Sequence, residues 1–345
     1  MNYLLPITYP LSMPFFKMLK FYYVNFGLKA VVLIQLLPKL KNFVSKKVDY
    51  RALGIQSYLS HVCKNTISQY KDAKMLLEGI PDDHDSFTIW TMWWQGDNHL
   101  PNVIQLCRDS LKKNANGHPI VFLNKDNFRD YVALPSYVVD KINNGMISYT
   151  HIADIIRTCV LAEYGGMWID AGVFVTKPIT IPKKNMFFSP KMRYATHTAN
   201  NNRWTVGCMY CSNGLRLFSF VRDMFYEFLS KEKSIIDYFQ LDYTIKLAYI
   251  LFPEVKNVID NVDRNNENIH KSRYLFDKAL DETRLNQLLY DNTFLSLTYR
   301  IPYPMQTGDG NETYYAALLR KYNNNEILEK NDELWKIDTY QAMGG

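Results

Sequence analysis

A single acidic residue, Asp170, follows a paired-glycine turn and a short apolar run, which is a suitable setting for a charged ligand-binding side chain. Gly165 and Gly166 lack a Cβ, so the backbone can turn sharply there and a ligand can come close. The run Met167-Trp168-Ile169 then predicts a short buried strand. Two residues beyond Asp170 the chain has Gly172, so the sequence predicts one carboxylate at this strand end.

A second candidate pair precedes the glycines, on a helix predicted from about Ser148 to Tyr164. Asp154 and Arg157 fall on one face of this helix, while the other face is apolar (Ile152, Ile155, Ile156, Cys159). Taken alone, such a pair is a solvated ion pair worth a few tenths of a kcal/mol. Because the helix runs directly into the glycine turn, the sequence favours a functional pair, with a carboxylate that accepts from hydroxyls and a guanidinium that donates to phosphate. His151 is a weaker candidate beside them.

The elements around these residues alternate between strand and helix. Residues 87–92 predict a first strand, 101–113 an amphipathic helix and 119–123 a second strand. Such β-α-β order is typical of a mostly parallel sheet flanked by helices, with ligands at the carboxyl ends of the strands. The first predicted strand ends at Trp94-Gln95-Gly96, a turn whose glycine lets backbone meet ligand.

Composition limits the function classes. The 345 residues include 47% apolar and 14% aromatic residues, as expected of a globular chain with a large core. The net charge of +6 permits anionic partners without choosing among them. Zinc-finger spacing and RNA-binding signatures are absent from the sequence, so we expect no nucleic-acid partner. The odd count of five cysteines favours reduced thiols and a cytoplasmic setting, and Cys208 and Cys211 are predicted to be buried strand residues.

The amino-terminal region is rich in large apolar residues that lysines interrupt. Between Pro14 and Val44 the uncharged runs are too short for a membrane-spanning helix, which needs about 20 apolar residues. Two alternatives are open: a helix lying flat on an anionic bilayer, or a helical subdomain packed on the main domain. We expect a helical extension over 1–80, a main domain over 81–310 and a helical tail over 311–345.

These motifs resemble those of glycosyltransferases with the GT-A fold, specifically the DXD-containing sugar transferases and the capsular polysaccharide synthesis family. The matching segments are Trp94-Gln95-Gly96, the Asp154 and Arg157 element, the glycine turn with Asp170, and Asp237-Tyr238-Phe239 with Asp242. The resemblance implies an α/β, Rossmann-like fold that transfers a hexose from a nucleoside-diphosphate sugar, with UDP the expected nucleotide.

The resemblance also implies residue roles. Asp170 and Asp242 are the expected catalytic carboxylates, and Asp237 is expected to be a charge at a helix amino terminus. Weaker expectations attach to Trp204, His270 and Arg300, the last two near the pyrophosphate, and the polar loop 195–203 is expected to meet the acceptor. Donor contacts are expected from one further set of residues: Trp94, Gln95, Gly96, Asp154, Arg157, Gly165, Gly166, Ala171 and Gly172.

The departure at Gly172 bears on the cofactor. Related enzymes hold Mn²⁺ or Mg²⁺ with a second Asp at this position, because hard cations prefer carboxylate and phosphate oxygens. Two explanations are open: Asp170 and a later residue hold the ion, or cationic side chains such as Arg157 neutralise the pyrophosphate. Retention is the expected stereochemistry, and the alternative is inversion with Asp242 as base.

The resulting prediction is a glycosyltransferase that acts on a lipid-linked glycan at the inner face of the cell membrane, in capsule or exopolysaccharide assembly. One alternative is a non-catalytic module that binds a nucleotide sugar or glycan through a degenerate metal site. Another is a peripheral membrane scaffold in the same pathway.

Overall fold

The structure is a computed structural model, and it describes residues 14–42, 49–71, 86–97, 100–183, 185–195 and 198–322. The predicted turn at residues 79–83, the tail beyond 322 and part of the predicted loop at 195–203 lie outside these ranges.

Helices form the amino-terminal part of the chain. Gly27, with φ 76°, kinks the first helix, which continues through a π-helical segment. Gly54 lies where two helices cross, because a Cβ there would be 2.1 Å from the Leu33 carbonyl oxygen. The elements are α1 (Phe15–Ala30), the π-helical segment (Val31–Leu36), α2 (Leu37–Asn42), α3 (Tyr50–Val62) and α4 (Lys64–Lys71).

These helices pack on the rest of the protein. Tyr22, Phe26 and Ile34 are buried and belong to the same hydrophobic core as the main sheet. Within the described residues, one helix, Phe16–Lys39, is long and apolar enough to cross a membrane, with a mean hydropathy of 1.3. The prediction from uninterrupted apolar runs had excluded such a helix. Its buried face nevertheless packs on protein, which fits a helix at the surface of the globular body.

The main sheet has five strands, in the order β2-β1-β3-β6-β5. The β1 strand pairs in parallel with β2 and β3, whereas β6 runs antiparallel to both of its neighbours, β3 and β5. The strands are β1 (Ile89–Met92), β2 (Ile120–Leu123), β3 (Gly166–Ile169), β5 (Phe187–Phe188) and β6 (Cys208–Cys211). Helices that flank the sheet are α5 (Asn102–Asn114), α6 (Ser136–Asn143), α7 (Tyr149–Glu163), α8 (Leu217–Lys231) and α9 (Gln240–Leu251).

A smaller unit with its own hydrophobic core packs on α5. The short strand β4 pairs antiparallel with β7, and the pair packs with α5, α12 and α13 in a second hydrophobic core. Phe174 and Leu295, from the two paired strands, are fully buried in it. The elements are β4 (Val173–Val175), α11 (Ser272–Leu275), α12 (Glu282–Asp291), β7 (Phe294–Ser296) and α13 (Tyr314–Tyr322). The helix α10 (Pro253–Asp260) packs instead on α9 and β5, with Val255 and Ile259 in the main core.

The predicted α/β class, with a mostly parallel sheet flanked by helices and an amino-terminal helical region, is confirmed. Every strand of the sheet except β6 points the same way, and the predicted strands and helices occur within a few residues of the expected limits. Cys208 and Cys211 are buried in β6, as predicted. Asp237 lies just before α9, as expected of a charge at a helix amino terminus, and its Oδ1 accepts from the Phe239 N–H at 2.9 Å. Its carboxylate also forms an ion pair with Arg51 of α3 at 2.5 Å.

Candidate functional site

Asp170 stands at the carboxyl end of β3, where three interactions fix it. Its backbone N–H donates to the Gly207 carbonyl at 2.8 Å. Its Oδ1 accepts hydrogen bonds from Trp168 Nε1 at 2.7 Å and from Arg157 Nη2 at 2.9 Å. The side chain remains 44% exposed, so one carboxylate edge is held by protein while the rest faces the cleft.

Arg157 joins the acidic residues of the site. Besides Asp170, its Nη2 lies 3.4 Å from Asp154 Oδ1, and its Nη1 donates to the Val206 carbonyl. The guanidinium carbon lies 4.9 Å from the centre of the Trp168 ring, and the side chain is only 4% exposed. Its Nη1 and Nη2 donors therefore serve protein acceptors, while its buried Nε has no hydrogen-bond partner among the described residues. The expected contact of Arg157 with the donor stays a prediction. Arg157 acts as the residue that positions Asp170.

Asp154 is buried behind this arginine, on the same helix. Burial raises its pKa to about 7, and the carboxylates of Asp170 and Asp242 act in the same direction, while Arg157 opposes them. Three carboxyl groups thus share the field of one guanidinium. The predicted convergence of Asp154, Arg157 and Asp170 is present in the structure, with Asp154 beneath the surface and Asp170 at it.

Asp242 lies in the first turn of α9 and is also buried. Its Oδ1 accepts from Trp204 Nε1 and from Asn200 Nδ2, each at 2.9 Å. Burial raises its pKa to about 6, and these two hydrogen bonds partly oppose the rise. Trp204 is fully buried, so it does not contact the donor directly. The pair anchors the loop around Asn200 to the site, a link that the sequence spacing did not reveal.

A narrow cleft with an enclosed volume of about 20 Å³ lies beside Asp170, at the carboxyl ends of β1, β2 and β3. Ala171 lines it, as expected for a ligand-contacting residue. Its floor is apolar, and one rim carries Arg108, whose guanidinium pairs with Asp97 at 2.8 Å and lies 4.2 Å from the Phe122 ring centre. The lining is formed by Thr91, Met92, Trp93, Asp97, Leu100, Ile104, Cys107, Arg108, Leu111, Phe122, Leu123, Asp170, Ala171 and Val173.

The turn after β1 contributes to this cleft through residues that the motif did not single out. Trp93 and Asp97 line the cleft, whereas Trp94 stacks on Tyr149 with 6.0 Å between ring centres. Gln95 is exposed, and Gly96 has φ 83°, which only glycine adopts readily. Trp94, Gln95 and Gly96 therefore shape the turn that presents their two neighbours.

Gly165 and Gly166 lie at the opposite end of β3 from Asp170, which corrects their expected donor contacts. Both have positive φ, 62° and 86°. A Cβ on Gly165 would lie 2.3 Å from Asn213 Oδ1, and one on Gly166 would lie 2.3 Å from the Thr88 carbonyl oxygen. These glycines let neighbouring strands pack closely, so their role is in the fold.

Gly172 and Gly207 control the backbone around Asp170. The Gly172 carbonyl accepts from the Leu297 N–H at 2.8 Å, which ties the turn after β3 to the residue after β7. A Cβ on Gly207 would lie 2.7 Å from Asp170 Oδ2. A side chain at Gly207 would therefore displace the carboxylate.

His151 is a buried residue that connects two segments near the site. It is fully buried; its Nδ1 pairs with Ser148 Oγ at 2.8 Å and its Nε2 with the Tyr238 carbonyl at 3.3 Å. Burial lowers its pKa to about 4, so it is neutral at pH 7. This histidine links the start of α7 to the segment before α9 and has no solvent-facing role.

The carboxy-terminal unit brings basic residues towards the acidic cluster. Tyr238 interacts electrostatically with Asp154 and Asp170 and also with Arg300 and Arg273. Arg300 is exposed and is one of the residues expected near the pyrophosphate. Arg273 was not singled out from the sequence, because a lone arginine in a short polar helix carries no signal.

His270 lies near Arg273. Its pKa is lowered to about 4 by burial and by the charge of Arg273. Its Nδ1 is buried and has no hydrogen-bond partner among the described residues. It is therefore neutral, and its expected contact with the pyrophosphate stays a prediction.

The residues around Asp170 do not make a divalent-cation site of their own. Within the described ranges there is no group of three or more His, Cys, Asp and Glu side chains placed to hold a metal. Asp170 is already paired to a guanidinium, and Gly172 offers no side-chain oxygen. In nucleotide sites Mg²⁺ is held by one or two carboxylates together with substrate phosphates and waters, so Asp170 would be the side-chain ligand here, and metal dependence stays a prediction.

The fold and site define an α/β protein with a ligand cleft at the carboxyl ends of its parallel strands and a positioned carboxylate at the cleft edge. The family model described as "Capsular polysaccharide synthesis protein" matches residues 38–318, and the chain belongs to this family.

Two further comparisons add little to this assignment. No curated protein matches the sequence. The solved structure of "PaToxG Glycosyltransferase" is 15% identical, with a TM-score of 0.36, over 70% of this chain and 96% of the other. A likeness at this level carries no information about the reaction.

Proposed function

We propose that this protein is a glycosyltransferase that moves a hexose from a nucleoside-diphosphate sugar, with UDP the expected nucleotide, to a glycan acceptor. The observation that carries the proposal is the convergence of Asp154, Arg157 and Asp170 at the edge of a cleft formed by three parallel strand ends. Membership of the capsular polysaccharide synthesis family supports the same reaction class.

We propose that the donor binds at the mouth of this cleft, in two parts. Its apolar floor and the half-buried ring of Trp93 suit a nucleoside, since nucleotide sites combine apolar walls with a few placed polar groups. Asp170 stands at the cleft edge with part of its carboxylate exposed, and it accepts hydrogen bonds from the hexose hydroxyls. Arg157 and Trp168 hold that carboxylate in one orientation, which lowers the cost of ordering it on binding.

In the reaction, the bond between the anomeric carbon and the diphosphate oxygen breaks, and a bond from that carbon to an acceptor hydroxyl oxygen forms. We propose retention, with the hydroxyl proton passing to the departing diphosphate oxygen. The burial of Asp242 and its hydrogen bonds to Asn200 and Trp204 favour this over inversion with Asp242 as the base. The partial negative charge of Asp170 stabilises the positive charge that develops on the sugar ring.

The test uses the purified full chain with UDP-, GDP- and CMP-sugars. We expect one donor to raise the melting temperature and to be hydrolysed slowly without acceptor, since a ligand that binds only the native state stabilises it. Asp170→Asn should keep the melting temperature of the free protein but lose turnover by about a hundredfold or more. Turnover near the wild-type rate in this variant would remove Asp170 from the reaction.

The same screen separates the alternatives. A non-catalytic module would bind a donor without hydrolysis or transfer, whereas a scaffold would bind none of them. The degenerate metal site favours the module as the second candidate, since Gly172 removes a side-chain oxygen. Transfer to extracted glycolipid, followed by linkage analysis, would identify the acceptor.

A lipid-linked acceptor at the inner face of the cell membrane is part of the proposal. Residues 1–48 contain seven lysines and no Asp or Glu, which exceeds the +6 net charge of the whole chain. On α1, large apolar residues beside Lys17 and Lys20 are exposed: Phe16 (81%), Tyr23 (62%), Val24 (53%) and Leu28 (64%). Apolar side chains flanked by lysines suit an anionic bilayer surface.

Deleting the first 48 residues would remove core side chains such as Tyr22, so substitutions give a cleaner test. Phe16→Ser with Leu28→Ser should weaken cosedimentation with phosphatidylglycerol vesicles about tenfold or more, by loss of buried apolar area. The same pair should leave the melting temperature nearly unchanged. Equal binding to phosphatidylcholine vesicles, or no effect of the substitutions, would contradict the membrane contact.

A further inference from the structure

The pairing of β4 with β7 links Arg273 to the turn that follows Asp170. Arg273 Nε donates to Ser296 Oγ at 3.0 Å, and a second guanidinium nitrogen donates to the same oxygen. Ser296 is the register partner of Val173. The Val173 N–H in turn closes a tight turn on the Asp170 carbonyl at 2.9 Å. One turn and one cross-strand pair therefore connect this guanidinium to the backbone of Asp170.

Arg300 lies in the segment that follows the same strand, β7. The Leu297 N–H bonds to the Gly172 carbonyl at 2.8 Å, and three residues later Arg300 interacts with Tyr238, as Arg273 does. Tyr299, beside it, meets Trp93 of the cleft edge with 5.2 Å between ring centres. Both arginines thus belong to segments that reach the site, through Tyr238 beside the acidic cluster and, for Arg300, through the neighbouring Tyr299 at the cleft edge.

The two arginines differ from Arg157 in their partners. In the part of the chain that the structure describes, Arg273 and Arg300 form no ion pair. Arg157, by contrast, is shared by two carboxylates. A guanidinium that pairs with no carboxylate is suited to an anion that arrives from solution, because its planar donors match phosphate oxygens.

The chemistry of the proposed reaction requires such a charge. The departing diphosphate is strongly negative, and the residues around Asp170 add further negative charge without forming a metal site among the described residues. We propose that Arg273 and Arg300 bind the diphosphate of the donor and neutralise it on departure, in the position where related enzymes use a cation. This inference rests on the proposed glycosyl transfer and adds the residues that bind the leaving group.

The experiment measures binding of UDP, GDP, uridine, guanosine and inorganic pyrophosphate by calorimetry, in the presence of EDTA. Arg273→Ala and Arg300→Ala are each compared with Arg264→Ala, which removes an exposed arginine paired with Glu267 at 2.6 Å. Ser296→Ala keeps the charge of Arg273 but removes its anchor. Unfolding midpoints of all variants are measured alongside, so that a loss of fold is recognised.

We expect wild-type protein to bind one nucleoside diphosphate in EDTA, with less than about a twofold gain on adding Mn²⁺. Arg273→Ala and Arg300→Ala should each weaken diphosphate and pyrophosphate binding by about tenfold or more and leave nucleoside binding unchanged. Ser296→Ala should lose about threefold, since only the position of the guanidinium changes. Arg264→Ala should have no effect.

Two kinds of result would overturn the proposal while sparing the proposed function. One is diphosphate binding that EDTA abolishes in wild-type protein. The other is diphosphate affinity in folded Arg273→Ala and Arg300→Ala proteins that equals the wild-type value. If Arg273→Ala does not fold, Ser296→Ala and Arg300→Ala decide the outcome. Wild-type protein that binds no nucleoside diphosphate, with or without Mn²⁺, would instead refute the glycosyl transfer itself.

Discussion

The two ends of β3 have different roles, although both belong to one short sequence motif. At the amino end, Gly165 and Gly166 have positive φ, and neighbouring backbone and side-chain atoms pack closely against both of them. At the carboxyl end, Asp170 is held by hydrogen bonds and remains 44% exposed. The glycines are constrained by packing and the aspartate by its ligand-facing position, so substitutions at the two ends should fail in different ways.

The largest expected effect is at the amino end, in Gly166→Ala. A Cβ there would lie 2.3 Å from the Thr88 carbonyl oxygen, which accepts the Met167 N–H across the β1–β3 pair. The positive φ adds strain, and we expect a loss on the order of 3 kcal/mol or more in the free energy of unfolding. Urea unfolding measures it. Gly308→Ala is the control, because a Cβ added at Gly308 would have no described atom within 4 Å.

Gly207→Ala tests the carboxyl end by the same chemical change. Its Cβ would lie 2.7 Å from Asp170 Oδ2, at a residue without positive φ. The carboxylate can move into the cleft, so we expect a folded protein whose donor turnover falls by about a hundredfold. Activity and the urea midpoint are measured together. If Gly207→Ala unfolds like Gly166→Ala, the distinction between the two ends is wrong.

The carboxyl end should also make stability depend on pH, through Asp154. Burial raises the pKa of this carboxyl from 3.8 to about 7, so the folded protein favours its protonated form. The contribution of Asp154 to stability is most favourable below the pKa that its carboxyl has in the unfolded chain, and it is lost as the pH rises towards 7. Between pH 4 and pH 8, we expect the free energy of unfolding of Asp154→Asn to rise relative to that of the wild-type protein by on the order of 1–3 kcal/mol.

Urea unfolding at several pH values checks this prediction. Asp242, whose pKa is raised to about 6 mainly by burial, is present in both proteins and affects the comparison little. Parallel stability curves for the two proteins would mean that Asp154 stays ionised throughout this range.

The smallest effects are expected from two neighbouring tryptophans. Trp90 and Trp168 are register partners, yet Trp90 Nε1 donates to the Gly165 carbonyl at 3.0 Å whereas Trp168 Nε1 donates to Asp170. Trp90→Phe should cost about 1 kcal/mol of stability and leave the turnover of folded protein unchanged. Trp168→Phe should cost a similar amount and also lower turnover by about threefold to tenfold. Identical behaviour of the two variants would contradict the division of β3.

Much of the fold follows from local sequence. The alternation of apolar segments and turns predicted the strands β1, β2 and β3 and the helices α5 and α7, because each of these elements satisfies its own periodicity. The position of Asp170 at a strand end followed from the same pattern. The second core, around Phe174 and Leu295, was not predicted, since β4 and β7 are three-residue strands far apart in sequence.

What the sequence determined by itself was the set of chemical groups: one carboxylate after a buried strand, an arginine and an aspartate one helical turn apart, and no second motif aspartate. Only the tertiary structure decided how they are used. It buried Arg157 as the partner of Asp170, separated the glycines from Asp170, and tied Arg273 through Ser296 to the strand pair that follows Asp170. Spacing along the chain fixes which residues share a local element, whereas burial and contacts between distant segments arise only when the strands pair.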